Sequence, residues 1–416
     1  MNNYYLYAAF IFAFLILGIL IAYSPRIVAW FGFLLSYEHL HNNEKNRLAI
    51  LVPARNESSV IAPLLESLAH QTYSDFEVFV IVKDPNDPTI ALAKEKGFHV
   101  HVEADQTCKS DALDGAIQGI ISANPNSFDG FLILDADTMI HNDYLEEMNN
   151  AMASGRDVIV SKKIVKNYFL QKGSLSLQGA ANGYIWTTFD EMGNRYKSLH
   201  HIALFTVGSG LLISKKIILR NGGWPFKATL TEDCELAGDI IANHDSTYYA
   251  PYAPIYMEEA PTLEMTNKRR NRWMGGLTSA QRIYRYKDFS MGSLKDVYFC
   301  YSIFISYLYF ALLTGFAFGN GVAAVVHFFI GDPIWVWPFY SSLAAFGLIY
   351  LSFFVMAVVG FFASLHDVKG HWAFRILTVF FVPFHYLGYF PIMISQVGLN
   401  GVNSCQKALS VLTMNS

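Results

Sequence analysis

The sequence predicts an α/β domain with a mostly parallel sheet, flanked by apolar segments that are long enough to cross a membrane. Hydrophobic residues make up 53% of the 416 residues and charged residues only 15%, whereas soluble domains average about 25% charged residues. Residues 1–25 contain no Asp, Glu, Lys or Arg, and residues 297–416 contain only five of them. Between these flanks, short apolar runs alternate with helical patterns, as in βαβ units. A polar middle domain between two lipid-embedded ends is therefore expected.

Charge and cysteine usage exclude several classes of protein. The formal net charge of −4 argues against broad nucleic-acid binding. The four cysteines are far apart and form no CxxC pair, which fits a reduced compartment without structural zinc.

The N-terminal apolar run, residues 4–23, is long enough to span hydrocarbon. It lacks a basic n-region and a small-residue cleavage pattern, so an uncleaved anchor is expected rather than a signal peptide. Arg26, Lys45 and Arg47 follow it. Because positive residues favour the cytoplasmic side, the N-terminus should face out and the middle domain should face the cytoplasm. Residues 27–37 are too short to span, and they either lie at the interface or pack under the soluble domain.

The middle domain begins near Arg47 with alternating strands and helices. The predicted strands are 48–53, 76–82, 98–102, 131–134 and 157–161, and the predicted helices are 60–70, 89–96, 109–122 and 174–197. Because ligands bind outside the carboxyl ends of parallel strands, the loops after these strands should meet around one cleft. The polar residues in those loops are Arg55, Glu57, Asp84, Asp135 and Asp137.

Two carboxylates, Asp135 and Asp137, directly follow the buried run 131–134. Separated by one residue, they can hold a hard divalent cation, since Mg²⁺ prefers one or two carboxylates plus substrate phosphates. The alternative interpretation of this isolated pair is an ordinary polar turn after a strand.

Three apolar blocks follow the middle domain, at 297–330, 334–365 and 376–397. The first block is longer than one span needs. It is either a span preceded by an interfacial helix or two closely packed segments. A short polar loop, 366–371, separates the second and third blocks.

Six polar motifs occur in order along the middle domain. They are PARNE (53–57), KD (83–84), KSDALDGA (109–116), LDADT (134–138), TED (231–233) and RRNRW (269–273). Over roughly residues 48–280 this set resembles the membrane-integrated glycosyltransferases of family 2, which include bacterial cellulose, hyaluronan, poly-N-acetylglucosamine and capsular polysaccharide synthases. The resemblance implies a Rossmann-like nucleotide-sugar domain of the GT-A type.

The resemblance implies roles for the donor-side residues. Asp137 and Asp135 are the expected metal and diphosphate ligands, with Mg²⁺ or Mn²⁺ as the cofactor. Asp84 is expected at the nucleobase, and Lys109 and Asp111 at the uridine or phosphate region. The PARNE segment, with Pro53, Arg55 and Glu57, is expected to form the pocket floor. For Lys109 the alternative is an exposed first-turn lysine.

On the acceptor side, the resemblance makes Asp233 the general base, with Glu232 beside it in the catalytic motif. The alternative is that both merely suit a helix N-terminus. Arg269 and Arg272 are expected to bind substrate, Arg272 at the diphosphate, and Trp273 offers a face for an acceptor sugar. For Arg270 and Lys268 the alternative is a basic stripe against lipid headgroups. The loop 207–210 resembles the family's acceptor-side loop, with a plain turn as the alternative.

The implied protein is an inverting, metal-dependent glycosyltransferase of the bacterial cell membrane, using a UDP-sugar at the cytoplasmic face. The expected organisation is an anchor (1–25), an interfacial segment (26–46), the catalytic domain (47–290), C-terminal apolar helices (291–398) and a tail (399–416). Surface or capsular polysaccharide is the leading product, and single transfer to a lipid acceptor is the alternative. A nucleotide-sugar-binding transporter or receptor is a third interpretation. About four apolar blocks are fewer than in cellulose or hyaluronan synthases, so a polymer channel would require a homo-oligomer.

Overall fold

A computed structural model describes residues 2–32, 34, 37–165, 177–260, 262–365, 367, 371–389 and 392 of the chain. Apolar, β-branched runs form its strands. These are β1 (Leu48–Pro53), β2 (Phe76–Val82), β3 (His99–Val102), β4 (Gly130–Ile133), β5 (Met139–Ile140), β6 (Val158–Val165), β7 (Leu211–Ser214) and β8 (Thr247–Met257).

All of these strands belong to one sheet, in the order β3-β2-β1-β4-β7-β6-β8-β5. The pairs β1–β2, β1–β4, β2–β3 and β6–β8 are parallel, whereas β7 and β5 pair antiparallel with their neighbours. The predicted mostly parallel sheet is confirmed. The register matches Val52 with Val80 and Leu51 with Ile133. Because β1, β2 and β4 therefore end at one edge, the polar residues after each strand gather there.

Helices cover both faces of the sheet. In the middle domain they are α2 (Ala62–Ala69), α3 (Thr89–Glu95), α4 (Lys109–Ala123), α5 (Tyr144–Ala153), α6 (Leu177–Ile185), α7 (Met192–Leu199), α8 (Lys215–Arg220), α9 (Glu232–Asn243) and α10 (Leu263–Met291). One apolar core joins the sheet to α2 and α5, and another joins its opposite face to α4 and α9. The predicted helix 174–197 begins outside the described residues, and the rest is α6, a π-helical segment (Trp186–Glu191) and α7.

The N-terminal helix α1 (Asn2–Gly32) is longer than the predicted span. It continues through Pro25, so the expected break between an anchor and a separate interfacial segment at residue 26 does not occur. Proline lacks only one helical donor and is accommodated at a local cost. A Cβ at Gly32 would lie 2.5 Å from Cβ of Tyr196 on α7. This end of α1 therefore packs closely on the middle domain. Of the two arrangements expected for residues 27–37, the structure shows packing under the soluble domain for the part up to Gly32.

The apolar C-terminal blocks form α11 (Leu294–Phe329), α12 (Val336–Ala363) and α13 (Trp372–Leu387). The first block is one continuous helix, so the alternative of two packed segments is wrong; a backbone without an internal proline continues its i→i−4 hydrogen bonds uninterrupted. Among the described residues, three helices are long and apolar enough to cross a membrane, at Ile11–Gly32, Leu308–Phe329 and Pro333–Ala363. Helix α13 is shorter, and the end of the third predicted block lies outside the described residues. These helices form a third core with α6.

Candidate active site

Lys109, at the start of α4, joins two of the predicted motifs. Its ammonium donates to Oδ1 of Asp135 at 2.6 Å and to the carbonyl oxygen of Gly208 at 2.8 Å. It also lies 3.4 Å from Oε1 of Glu232. Burial alone would lower the pKa of Lys109, but Asp135, Glu232 and Asp233 outweigh it and raise the pKa above its ordinary value. The side chain is therefore a fixed positive charge among carboxylates and not the exposed first-turn lysine of the alternative.

Asp111 caps the helix that holds Lys109. Its Oδ2 accepts hydrogen bonds from the backbone N of Thr107 at 2.9 Å, the Thr107 hydroxyl at 2.6 Å and the backbone N of Cys108 at 3.3 Å. The Thr107 hydroxyl and these amides lower the pKa of Asp111. The carboxylate thus satisfies backbone amides just before α4. Its predicted contact with the substrate stays a prediction.

The residues that follow β1 and β4 form an acidic edge of the sheet. Glu57 lies there close to Asp135 and Asp137. Burial raises the pKa of Glu57, and the carboxylates of Asp137, Asp135 and Asp87 raise it further. The backbone N of Asp135 donates to the Ser209 hydroxyl at 3.0 Å. This hydrogen bond ties the start of the acidic motif to the 207–210 loop.

A divalent cation suits this edge chemically. Among the described residues, no three or more His, Cys, Asp or Glu side chains are grouped so that they could hold a metal ion. Mg²⁺, however, is usually held by only one or two carboxylates together with substrate phosphates and water. The mutual repulsion that raises the pKa of Glu57 is a charge excess that a cation would relieve. Asp135 and Asp137 therefore fit the metal role predicted for them.

An open polar cleft lies beside β1 and β2, where the nucleobase is predicted to bind. Arg55, Asn56, Lys83 and Asp84 line it. Oδ1 of Asp84 accepts a hydrogen bond from the backbone N of Asn86 at 2.8 Å, which holds the turn after β2. The cleft brings the PARNE and KD motifs together, with Pro53 as the last residue of β1.

Asp233 lies in the first turn of α9, and the loop before β7 holds its carboxylate. Oδ2 accepts from the backbone N of Gly208 at 2.9 Å, and Oδ1 accepts from the backbone N of Cys234 at 2.8 Å. Burial and the neighbouring Glu232 raise the pKa of Asp233 to about 6, against the opposing effect of Lys109. A carboxylate with this pKa is charged at neutral pH and basic enough to accept a proton.

The predicted loop at 207–210 has a glycine close to the TED motif and another with a positive φ. A Cβ at Gly208 would lie 2.9 Å from Oε1 of Glu232 and 3.1 Å from Nζ of Lys109. Gly210 has a φ of +69°, which L side chains rarely adopt. The loop therefore approaches the TED motif closely at Gly208.

The RRNRW motif lies on α10, and Glu259 holds its first arginine. Arg269 donates to Oε2 of Glu259 at 3.1 Å, and its guanidinium lies 5.9 Å from the centroid of the Trp273 ring. Glu259 also accepts from Nε1 of Trp186 at 2.6 Å. Arg272 is exposed on the same helix. Lys109 therefore links Asp135 to the TED motif through direct contacts. Arg269 instead binds Glu259. The sequence indicated no role for Glu259 beyond its position just after β8.

Arg270 does not face lipid headgroups as one alternative expected. Its side chain is 1% exposed. It donates to Nε2 of His385 and lies 4.0 Å from the centroid of the Tyr389 ring. The sequence-based alternative was wrong for Arg270 because a basic stripe predicts charge but not which helix packs against it. Lys268 is exposed.

An apolar cavity of about 230 Å³ lies beside the TED motif and is lined by α1, the π-helical segment, α7, α9, α10 and α11. Asp233 lines it together with Trp186 and Trp273. Its apolar wall includes Ala29, Ile185, Phe189, Leu204, Val207 and Phe299. Asp233 therefore borders an apolar chamber next to the membrane-type helices. No pattern in the sequence indicated this chamber.

The pKa of Asp233 predicts a pH profile for the sugar transfer that the resemblance implies, with Asp233 as the general base. A base must be ionised, so kcat/KM should fall below pH about 6, toward a tenfold decrease per pH unit. Glu232→Gln should move this limb to lower pH, because Glu232 raises the pKa of Asp233. An unmoved limb in that variant would contradict the assignment. Because the folded-state pKa lies above the ordinary 3.8, the contribution of this group to stability should decline between those values as pH rises.

The sheet order and the covering helices define the GT-A fold. A mannosyltransferase from Pyrobaculum calidifontis, solved in complex with GDP-Man and Mn²⁺, has this fold with a TM-score of 0.54 and 14% identity, over 93% of this chain and 98% of that one. Residues 46–276 match the family described as Glycosyltransferase like family 2. This match covers more than half of the chain, which therefore belongs to glycosyltransferase family 2.

Two curated relatives align over most of the chain. The beta-monoglucosyldiacylglycerol synthase of Trichormus variabilis is 24% identical over 343 residues, covering 80% of this chain and 67% of the relative. The protein named Probable glycosyltransferase YdaM of Bacillus subtilis is 22% identical over 318 residues, covering 71% of this chain and 72% of the relative.

Proposed function

We propose that the chain is an inverting, metal-dependent glycosyltransferase that moves a sugar from a nucleotide-sugar to a hydroxyl of a lipid acceptor. The observation that supports the lipid acceptor is the position of Asp233. Its carboxylate lines the apolar cavity, while Lys109 joins the same motif to the acidic edge. A base placed this way accepts a proton from a hydroxyl arriving from the apolar side.

In the proposed reaction, the acceptor oxygen attacks the anomeric carbon and the bond from that carbon to the diphosphate breaks. The hydroxyl proton passes to Asp233, and the diphosphate leaves with its electron pair. One displacement without a covalent intermediate inverts the anomeric centre. Lys109 offers a positive charge beside Asp135, where negative charge develops on the leaving group.

Mg²⁺ or Mn²⁺ is the proposed cofactor, held by Asp137 and Asp135 together with the donor diphosphate. When bound, it would offset the charge of the departing diphosphate. Asp84 and Arg55, with the rest of their cleft, are proposed to bind the nucleoside. The roles of Glu57, Asp111, Arg269, Arg272 and Trp273 in substrate binding remain proposals of the same kind.

Apolar-helix content favours lipid over polymer as the product. The described residues contain three helices long enough to span, whereas a polysaccharide channel would require more helices or an oligomer. The relative named for a monoglucosyldiacylglycerol product aligns with 80% of this chain, which agrees with a lipid acceptor. The catalytic domain, residues 47–290, is proposed to face the cytoplasm with its cavity at the membrane surface.

Donor screening in nanodiscs, with sizing of the product, tests this function. We expect one of UDP-glucose, UDP-N-acetylglucosamine or GDP-mannose to yield a lipid with one added sugar. A long polymer would favour the polysaccharide alternative and contradict single transfer. The absence of product with every donor, despite donor binding, would indicate a binding protein instead of an enzyme.

A further inference from the structure

Two basic side chains line the apolar cavity without a carboxylate partner. Arg26 lies on α1 and Lys197 on α7, and both line the chamber that Asp233 lines. In the part of the chain that the structure describes, neither side chain forms an ion pair or a hydrogen bond. Positive charge in an apolar wall is costly unless an anion or hydrogen-bond acceptor meets it.

Four other buried or half-buried bases of the domain have carboxylate partners. The matched pairs are Lys109 with Asp135, Lys162 with Glu191 and Asp367, Lys163 with Asp190, and Arg269 with Glu259. Arg270 is buried without a carboxylate but contacts His385 and Tyr389, so Arg26 and Lys197 differ from it in lining a cavity.

The surroundings of Arg26 leave its donors available. Its guanidinium carbon lies 4.3 Å from the centroid of the Phe189 ring and 5.1 Å from that of Tyr23. Contact with aromatic faces stabilises the cation through the ring quadrupole but uses none of the N–H groups in hydrogen bonds. A planar guanidinium held this way presents a fork that matches the oxygens of a phosphate.

Lys197 adds a second charge from the domain side of the cavity. Burial lowers the pKa of Lys197, while Cys300, Asp190 and Asp296 nearby oppose that effect. The two carboxylates among these groups have other partners. Asp190 pairs with Lys163, and Asp296 accepts a hydrogen bond from the backbone N of Ala203. The Lys197 ammonium is therefore available to an anion in the cavity.

We propose that Arg26 and Lys197 bind the phosphate of an anionic lipid acceptor, whose hydroxyl then reaches Asp233. This inference rests on the proposed function and narrows its acceptor to lipids that have both a phosphate and a free hydroxyl. The cavity of about 230 Å³ has an apolar wall that includes Ile185, Leu204 and Phe299, which offers contacts to the part of a lipid chain next to the headgroup.

Lipid binding to the full-length protein, measured by native mass spectrometry in a non-ionic detergent, tests the proposal without activity. The two probes are dioleoylphosphatidylglycerol and dioleoylglycerol, which have the same chains and differ in the phosphoglycerol headgroup. The wild-type protein should bind the phospholipid more tightly. Arg26→Gln should weaken that binding roughly 10- to 100-fold, the range for hydrogen bonds to a charged group, and should leave dioleoylglycerol binding unchanged.

Three variants complete the test. Arg26→Lys keeps the charge but lacks the planar fork, so its phospholipid affinity should lie between those of the wild-type protein and Arg26→Gln. Lys197→Gln should reduce the affinity independently if Arg26→Gln fails to fold. Lys295→Gln is the matched control, because Lys295 is an exposed base at the start of α11 that does not line the cavity. Equal wild-type affinity for the two probes, or unchanged phospholipid binding in both Gln variants of the cavity, would overturn the proposal.

Competition by inorganic phosphate tests whether the two bases bind a lipid headgroup or a free anion. Displacement of the lipid by inorganic phosphate would assign the site to free phosphate and contradict a lipid headgroup. Transfer assays with both lipids then distinguish this phosphate site from the proposed function. Arg26-dependent phospholipid binding without sugar transfer would support the site and contradict the function. Transfer to dioleoylglycerol that is indifferent to Arg26 would support the function and overturn the phosphate site.

Discussion

Replacing Asp233 by Asn should abolish sugar transfer while donor binding is largely retained. Loss of a general base lowers the rate by about 10²–10⁴-fold. The Asn side-chain oxygen can still accept from the backbone N of Gly208, as Oδ2 of Asp233 does at 2.9 Å, so the 207–210 loop should keep its position. The measurement is kcat at saturating donor, together with the donor Kd from calorimetry.

Glu232→Gln is the matched control for this experiment. It removes the adjacent carboxylate, which lies 3.4 Å from Lys109, and should change donor affinity more than kcat. Normal turnover by Asp233→Asn would show that Asp233 is not the base. A loss of kcat in Glu232→Gln alone would assign the base to Glu232 instead.

The sheet and the acidic edge could be predicted from the sequence because local patterns determine them. The apolar runs of β1 and β4 and the polar residues after them indicate parallel strands whose carboxyl ends share one edge. Asp135 followed β4 closely enough in the chain to be placed there. The fold class was therefore accessible, and the parallel pairing of β1 with β4 confirms it.

Contacts between distant helices could not be predicted in the same way. Arg270 and Arg269 are neighbours in a basic motif, yet one is buried against His385 and the other binds Glu259. Helical periodicity indicates an apolar face, but it does not identify the helix that covers that face. The cavity could not be predicted from the sequence for the same reason, because its wall combines residues of α1 with residues of α7, α9 and α11.

Proline and helix length explain the errors at the N-terminal end. Pro25 and the following charge of Arg26 suggested an end to the predicted span, but α1 continues to Gly32. Packing of Gly32 against Tyr196 extends the helix onto the middle domain. The same continuity places Arg26 in the cavity wall.

Removal of divalent metal should abolish transfer, and Asp137→Ala should lower kcat by at least about 100-fold at saturating donor. Burial and the carboxylates of Asp137 and Asp135 raise the pKa of Glu57, so this edge concentrates negative charge before a diphosphate arrives. Without a cation, the diphosphate would add further repulsion at the same place. Activity should be measured after chelation and again after addition of Mg²⁺ or Mn²⁺.

Asp143→Asn is the control for the metal experiment, because it removes an exposed carboxylate just beyond β5. This variant should keep wild-type activity and the wild-type metal requirement. Full activity of the wild-type protein in chelator would contradict the metal role of Asp135 and Asp137. In that case Lys109, the cation already 2.6 Å from Asp135, would be the group left to stabilise the departing diphosphate, and Lys109→Met would then show the larger loss.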